Sequence, residues 1–143
     1  MNSFLRALSF FALIISSGCV AGKTDNSFQI FWTEFRTAAI QNDYKTLEKF
    51  TKFPLEIRGP DDSMPTEYFK KDDFKDVFDR IMQQKTYLPH DDDSLIETSM
   101  REIVDNTLLI SDAKKGEEYH IEQLVFEFVD GQWFFTKAYL DDL

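Results

Sequence analysis

The stretch Ile121–Leu140 constrains this chain most. Two strand-like runs, 121–129 and 132–140, flank Asp130-Gly131. Asp-Gly between such runs is a strong short-range signal for a two-residue hairpin loop. That loop sets Phe128 opposite Trp133, Phe126 opposite Phe135, Leu124 opposite Lys137 and Glu122 opposite Tyr139. Side chains alternate along a strand with period two, so these eight share one side of the ribbon. One side is therefore an aromatic wall. The other mixes Val125, Val129, Phe134, Ala138 and Leu140 with Gln123, Glu127 and Thr136. An apolar wall of this size requires a covering layer.

Helices upstream supply that layer. Phe28, Phe31, Trp32, Phe35 and Ala39 fall on one helical stripe, which is the spacing of a core-facing face rather than of a ligand box. Asn26 and Gln29 have the spacing of a capping box. Asn42-Asp43 caps a shorter helix through about Thr51, with Tyr44, Leu47 and Phe50 inward. Phe53–Arg58 alternates and ends at Gly59-Pro60, which reads as a short edge strand because Pro54 near its start is tolerated there. Residues 60–72 read as a loop whose Tyr68 and Phe69 tuck back. Phe74, Val77, Phe78, Ile81 and Met82 mark a third helix, capped by Asp72 or Asp73. Residues 95–104, 107–112 and 119 onward supply strand-like material, although the spacing at 95–104 would also serve a helix.

The beginning of the chain reads as an address. A short segment with one positive charge, Arg6, precedes the apolar run Ala7–Ile15 and the small residues Ser16-Ser17-Gly18. This is the order of a secretory signal, and the run is shorter than the roughly 20 residues that span a bilayer. Cys19, the one cysteine of the chain, follows immediately. Ser16-Ser17-Gly18-Cys19 resembles the bacterial lipobox, with Ser16 where leucine is usual. The resemblance implies that residues 1–18 are removed, that Cys19 becomes the lipidated first residue, and that 19–27 is a tether. The alternative is ordinary cleavage near Ala21-Gly22, which discards the cysteine. Val20 is not the aspartate that holds such lipoproteins at an inner membrane, so the expected place is the periplasmic side of the outer membrane. A soluble periplasmic or secreted protein is the alternative. A lone thiol makes no internal disulfide, so the fold stands without one.

Without residues 1–18 the chain keeps 15 basic against 26 acidic residues, a net charge of −11. That opposes binding to nucleic acid, whose phosphates require Lys and Arg, and opposes electrostatic docking on anionic lipid. It permits a basic partner. Asp91-Asp92-Asp93 invites a calcium reading. However, the loop has no glycine at the sharp turn and no twelve-residue span closing on glutamate, so it reads as a solvated loop and no metal is expected. The glycines are scattered, with no phosphate-binding loop and hence no nucleotide cofactor.

Taken in order, Phe31-Trp32-x-x-Phe35 with Ala38-Ala39, Asp43, Phe53-Pro54-Leu55-x-x-x-Gly59, Phe74-x-x-x-Phe78 and Asp130-Gly131-x-Trp133 are similar to the NTF2-like (cystatin-like α+β cone) superfamily. The chain also resembles the small exported NTF2-like proteins of bacteria. The resemblance covers about 28–140 and implies one domain over 28–143: α+β, with N-terminal helices packed against a curved antiparallel sheet and a pocket at the open end of the cone. Its members include isomerases, hydrolases and many non-enzymes, so fold alone does not assign activity.

Family enzymes place an Asp, His or Tyr inside the cone. The residues this chain offers there are His120, Glu122 and Tyr139, beside Lys137. A carboxylate next to a tyrosine in an apolar pocket can act as an acid or base if its pKa rises. The simpler reading is a cross-strand charge pair where the ribbon meets solvent. Three functions follow as expectations: a membrane-tethered periplasmic binding or scaffold domain without catalysis, taking a protein or a small apolar ligand; an isomerase- or hydrolase-type enzyme using His120 or Glu122 with Tyr139; or an acidic inhibitor or immunity protein using the 61–62 and 91–93 loops against a basic partner.

Overall fold

The computed structural model describes residues 25–61, 63–110 and 113–141. The leader, Cys19, most of the tether and Asp62 lie outside the described residues. The fold is α+β; the described residues form four helices, a five-stranded sheet and a separate two-stranded ribbon.

Helix α1 (Ser27–Gln41) follows the aromatic stripe and buries Phe28, Phe31, Trp32, Phe35, Ala38 and Ala39. The expected Asn26–Gln29 capping box is absent: the Asn26 side chain makes no cap bond. Gln29 instead donates to the Leu108 carbonyl at 3.1 Å and accepts the Ile110 N–H at 2.7 Å. A long-range partner thus displaces a local one. Asn42, left-handed at φ 55, ends α1. Asp43 caps α2 (Tyr44–Phe50) by accepting the Thr46 N–H at 3.1 Å, as expected.

Strands β1 (Thr51–Arg58) and β2 (Glu67–Phe69) precede α3 (Phe74–Gln83). A single turn of tighter helix at Lys71–Asp73 leads into α3, and the Asp73 side chain makes no cap bond. Strands β3 (Lys85–Pro89) and β4 (Leu95–Ser99) form the separate ribbon, and α4 (Met100–Asn106) follows at once. The ambiguous stretch 95–104 is therefore both strand and helix, divided at Ser99. Ser99 caps α4 by accepting the Glu102 N–H, and Glu102 answers on the Ser99 N–H at 2.7 Å. Residues 107–110 are not a strand. The sheet is completed by β5 (Tyr119–Ile121), β6 (Leu124–Val129) and β7 (Gln132–Tyr139).

The sheet order is β2-β1-β7-β6-β5, and β1 runs parallel to β7. The expectation of a wholly antiparallel sheet is corrected: the sheet is mixed. The edge-strand reading of β1 is corrected with it, since β1 lies between β2 and β7. Proline is accommodated because β1 pairs with β2 only from Leu55 to Ile57, and its register with β7 breaks between Thr51 and Glu56. Pro54 sits in that gap, where no ladder requires an N–H. Phe69 packs back on the core as expected, but Tyr68 is 62% exposed.

The aromatic wall is real and filled. Phe126 lies with ring centroids 5.2 Å from Phe35, 5.7 Å from Phe31, 5.8 Å from Trp32 and 5.7 Å from Phe135. Phe74 and Phe78 of α3 extend the same cluster, with Phe128 partly buried against it. Edge-to-face and tilted contacts of this kind add to the energy of burial itself.

The hairpin turns at Asp130-Gly131, both with positive φ (50 and 90). Phe128 faces Trp133 and Phe126 faces Phe135, as the two-residue loop requires. Beyond them the register shifts: Val125 pairs with Lys137 and Leu124 with Ala138. Thr136 is the extra residue of a β-bulge. One extra residue turns every later side chain to the other face. Ala138 and Leu140 join the core, while Lys137 and Tyr139 leave it. At the other end, Glu122 and Gln123 form a tight turn, so β5 and β6 are two strands rather than one.

Candidate functional site

The three residues expected inside the fold are not inside it. Tyr119 and Ile121 pack on the core side, so His120 between them takes the outer face of the sheet. Tyr139 shares that face because of the bulge. Their rings lie 6.5 Å apart, inclined by 26°. Glu122 is exposed in the turn at φ 48, and the residue bonded to Tyr139 is its neighbour: the Tyr139 N–H donates to the Gln123 carbonyl at 3.0 Å. His120 and Tyr139 are thus brought together, and Glu122 is not brought to them.

In place of a buried triad, the outer face holds a row of residues across all five strands. Cross-strand pairing aligns His120, Val125, Lys137, Glu56 and Tyr68. Arg58 lies opposite Tyr139 in the next row. Lys137 is only 8% exposed and donates to Glu118 Oε1 at 2.6 Å; Glu118 Oε2 also meets His120 Nε2 at 3.3 Å. Arg58 Nε donates to Glu56 Oε1 at 2.5 Å.

The electrostatics of this row run against acid catalysis. The hydrogen bond from Lys137 holds the Glu118 carboxyl below the usual carboxylate range, more strongly than its partial burial raises it. An acid catalyst at neutral pH requires the opposite direction. The Arg58 guanidinium is likewise held in its charged form by the bond to Glu56. The row can hold structure and present charge. Sequence reasoning placed no weight on Glu118, Glu56 or Arg58. The Glu56–Arg58 pair had a signal, since residues two apart in a strand share a face. Glu118 had none, because it lies beyond a turn whose geometry brings it back over β7.

Two surface grooves open elsewhere among the described residues, and neither is lined by His120, Glu122 or Tyr139. One, of about 520 Å³, lies where the end of α3 meets β3 and the end of β7, and is lined by Arg80, Tyr87 and Asp141. Gln84 crosses it, donating to the Tyr139 carbonyl at 3.3 Å and accepting the Asp141 N–H at 3.0 Å. The other, of about 260 Å³, lies between the start of α1, the end of α2 and the hairpin tip. Phe31, Phe50, Phe128 and Trp133 line it, with Ile30 and Glu34 on α1. The bond from Trp133 Nε1 to Ser27 Oγ at 3.0 Å fixes the indole in its wall. Phe31 with Phe50 and Phe128 with Trp133 each meet edge to face with centroids 5.5 Å apart. These are rigid apolar walls with one carboxylate, a lining that receives apolar groups.

The Asp91–Asp93 loop is the tip of the β3–β4 ribbon. Asp92 accepts from the Ser94 N–H at 3.1 Å and from the Ser94 hydroxyl, and His90 Nδ1 lies 3.2 Å from it. Its carboxylate closes the turn, and no cluster of possible metal ligands is found among the described residues.

Searches against protein-family profiles, curated proteins and solved structures find no significant match to this chain.

Proposed function

We propose that this chain is a non-enzymatic binding domain of NTF2-like form, tethered through lipid on Cys19 to the periplasmic side of the outer membrane, and that it takes a small apolar group in the Phe31–Phe50–Phe128–Trp133 groove. One observation carries this reading: aromatic rings fill the core beneath the sheet, and an aromatic-lined groove opens at the surface between the start of α1, the end of α2 and the hairpin tip. Its volume of about 260 Å³ falls just short of the usual 300–1,000 Å³ of small-molecule sites. A single ring or short alkyl group suits it better than a large ligand.

The experiment is a titration of the 20–143 fragment with N-phenyl-1-naphthylamine, a neutral apolar probe. Saturable binding that quenches tryptophan emission and weakens at least about tenfold, some 1.4 kcal/mol, in Phe50→Ala and Phe128→Ala supports the groove. Binding indifferent to both substitutions, with circular dichroism unchanged, removes it. The acidic-inhibitor reading draws on the net charge of −10. A pull-down from periplasmic extract that captures a basic protein only at low salt would favour that reading instead.

A further inference from the structure

The segment after α4 presents leucine to solvent in a way its backbone enforces. Trp32 Nε1 donates to the Thr107 carbonyl at 2.7 Å, Gln29 Nε2 to the Leu108 carbonyl, and the Ile110 N–H to Gln29 Oε1. The backbone of 107–110 is therefore bound along the first turns of α1. Ile110 packs on the core, while Leu108 is 61% and Leu109 86% exposed. Neither leucine can fold inward without breaking those bonds. Two adjacent leucines held out to solvent in this way mark an interaction surface.

The tether says what covers it. Asp25, two residues before α1, is bound to Lys115 Nζ at 2.9 Å, at the far end of the same segment. That bond and those from Ser27 hold the Asp25 carboxyl down to about 2, so it stays charged at any periplasmic pH. The first described residue thus lies at the same end of the domain as the leucine segment, whose Leu108 carbonyl is bound to Gln29 on the first turn of α1. From Asp25 back to Cys19 is six residues, a reach of about 20 Å at most. A lipid on Cys19 keeps this end of the domain within that distance of the bilayer, so contact is an intramolecular event at high effective concentration. Lys114 and Lys115 follow the leucines in sequence, Lys115 in its bond to Asp25, on a chain that is otherwise strongly acidic. Repulsion of the other surfaces from anionic lipid then favours this end downward.

We propose that Leu108 and Leu109 dock the domain onto the bilayer that holds its own lipid anchor. This rests on the lipidation of Cys19 in the reading above. The domain lies on the lipid surface with the start of α1 toward it.

The test uses the lipidated protein in vesicles of phosphatidylethanolamine and phosphatidylglycerol. Acylated Cys19 has no free thiol, so Leu109→Cys or Asp91→Cys carries a polarity-sensitive dye at one position. The expected result is a blue-shifted dye at 109, quenched by brominated lipid, and a water-exposed dye at 91, on the distant ribbon tip. In the unlabelled protein, Leu108→Asn with Leu109→Asn should speed trypsin cleavage at Lys114-Lys115 severalfold on vesicles and leave it unchanged in solution. Identical water-like signals at 109 and 91, on protein whose mass confirms the acyl chains, overturn docking while leaving the anchor intact. A mass without acyl chains overturns both. A shift at 109 that fades as the protein is diluted into more lipid assigns the patch to a second copy and also overturns the proposal.

Discussion

Phe126 is the residue on which most of the core converges. It is fully buried and meets rings from α1 and from β7. Phe126→Ala removes that ring where neighbours on both layers cannot close the gap, so the expected cost is about 3–5 kcal/mol in a reversible urea melt. A change below about 1 kcal/mol would mean that the ring is not the joint between the layers. Glu118 makes a different prediction. Its carboxyl is depressed in the folded state by the hydrogen bond from Lys137, so it stabilises the fold above its ordinary value of 4.5 and loses that effect as pH falls through the lower folded value. Glu118 is 41% exposed, so the effect is modest. Glu118→Gln should cost about 1 kcal/mol at pH 7. The gap between wild type and variant should narrow on acidification below 4.5. A gap that holds constant to the acid limit would show that the pair contributes no charge-dependent stability.

At the scale of the elements, the turn at Asp130-Gly131 was legible because Asp-Gly chemistry and flanking strands agree. Gly131 has φ 90 and open space where a Cβ would stand. Gly131→Ala should therefore cost only backbone strain, about 1–2 kcal/mol, with the hairpin retained. A neutral result in thermal melts would mean that the turn relaxes. The α1 stripe and the Asp43 cap were legible for the same reason, since local pattern and global packing agree there. The bulge at Thr136 was not. Nothing in Phe135-Thr136-Lys137 marks an extra residue, because a bulge answers to sheet curvature and to the neighbour β1, which is distant in sequence. That one residue moved Lys137 and Tyr139 from the expected interior to the outer face, and the candidate site moved with them. The division of 95–104 failed on a readable signal: Ser99 with Glu102 is a capping box, and weighing it against the strand pattern would have placed the boundary.

For the whole molecule, the questions of location and of function meet at Cys19. A domain with this acidic surface gains little from anionic lipid by charge, so stable residence at a membrane requires acyl chains, each buried CH2 contributing about 0.8 kcal/mol. In the proposed reading, the lipobox-like Ser16-Ser17-Gly18-Cys19 supplies the attachment point. No described helix is long and apolar enough to cross a bilayer. Labelled palmitate fed to the host should appear in the wild-type protein and be lost in Cys19→Ser. The variant should move from the membrane fraction to the soluble one with its melting temperature unchanged. An unlabelled wild type with a mature N-terminus near Gly22 would end the anchor and leave export standing. The groove reading would then be tested alone, since the titration with the 20–143 fragment requires no lipid on the chain.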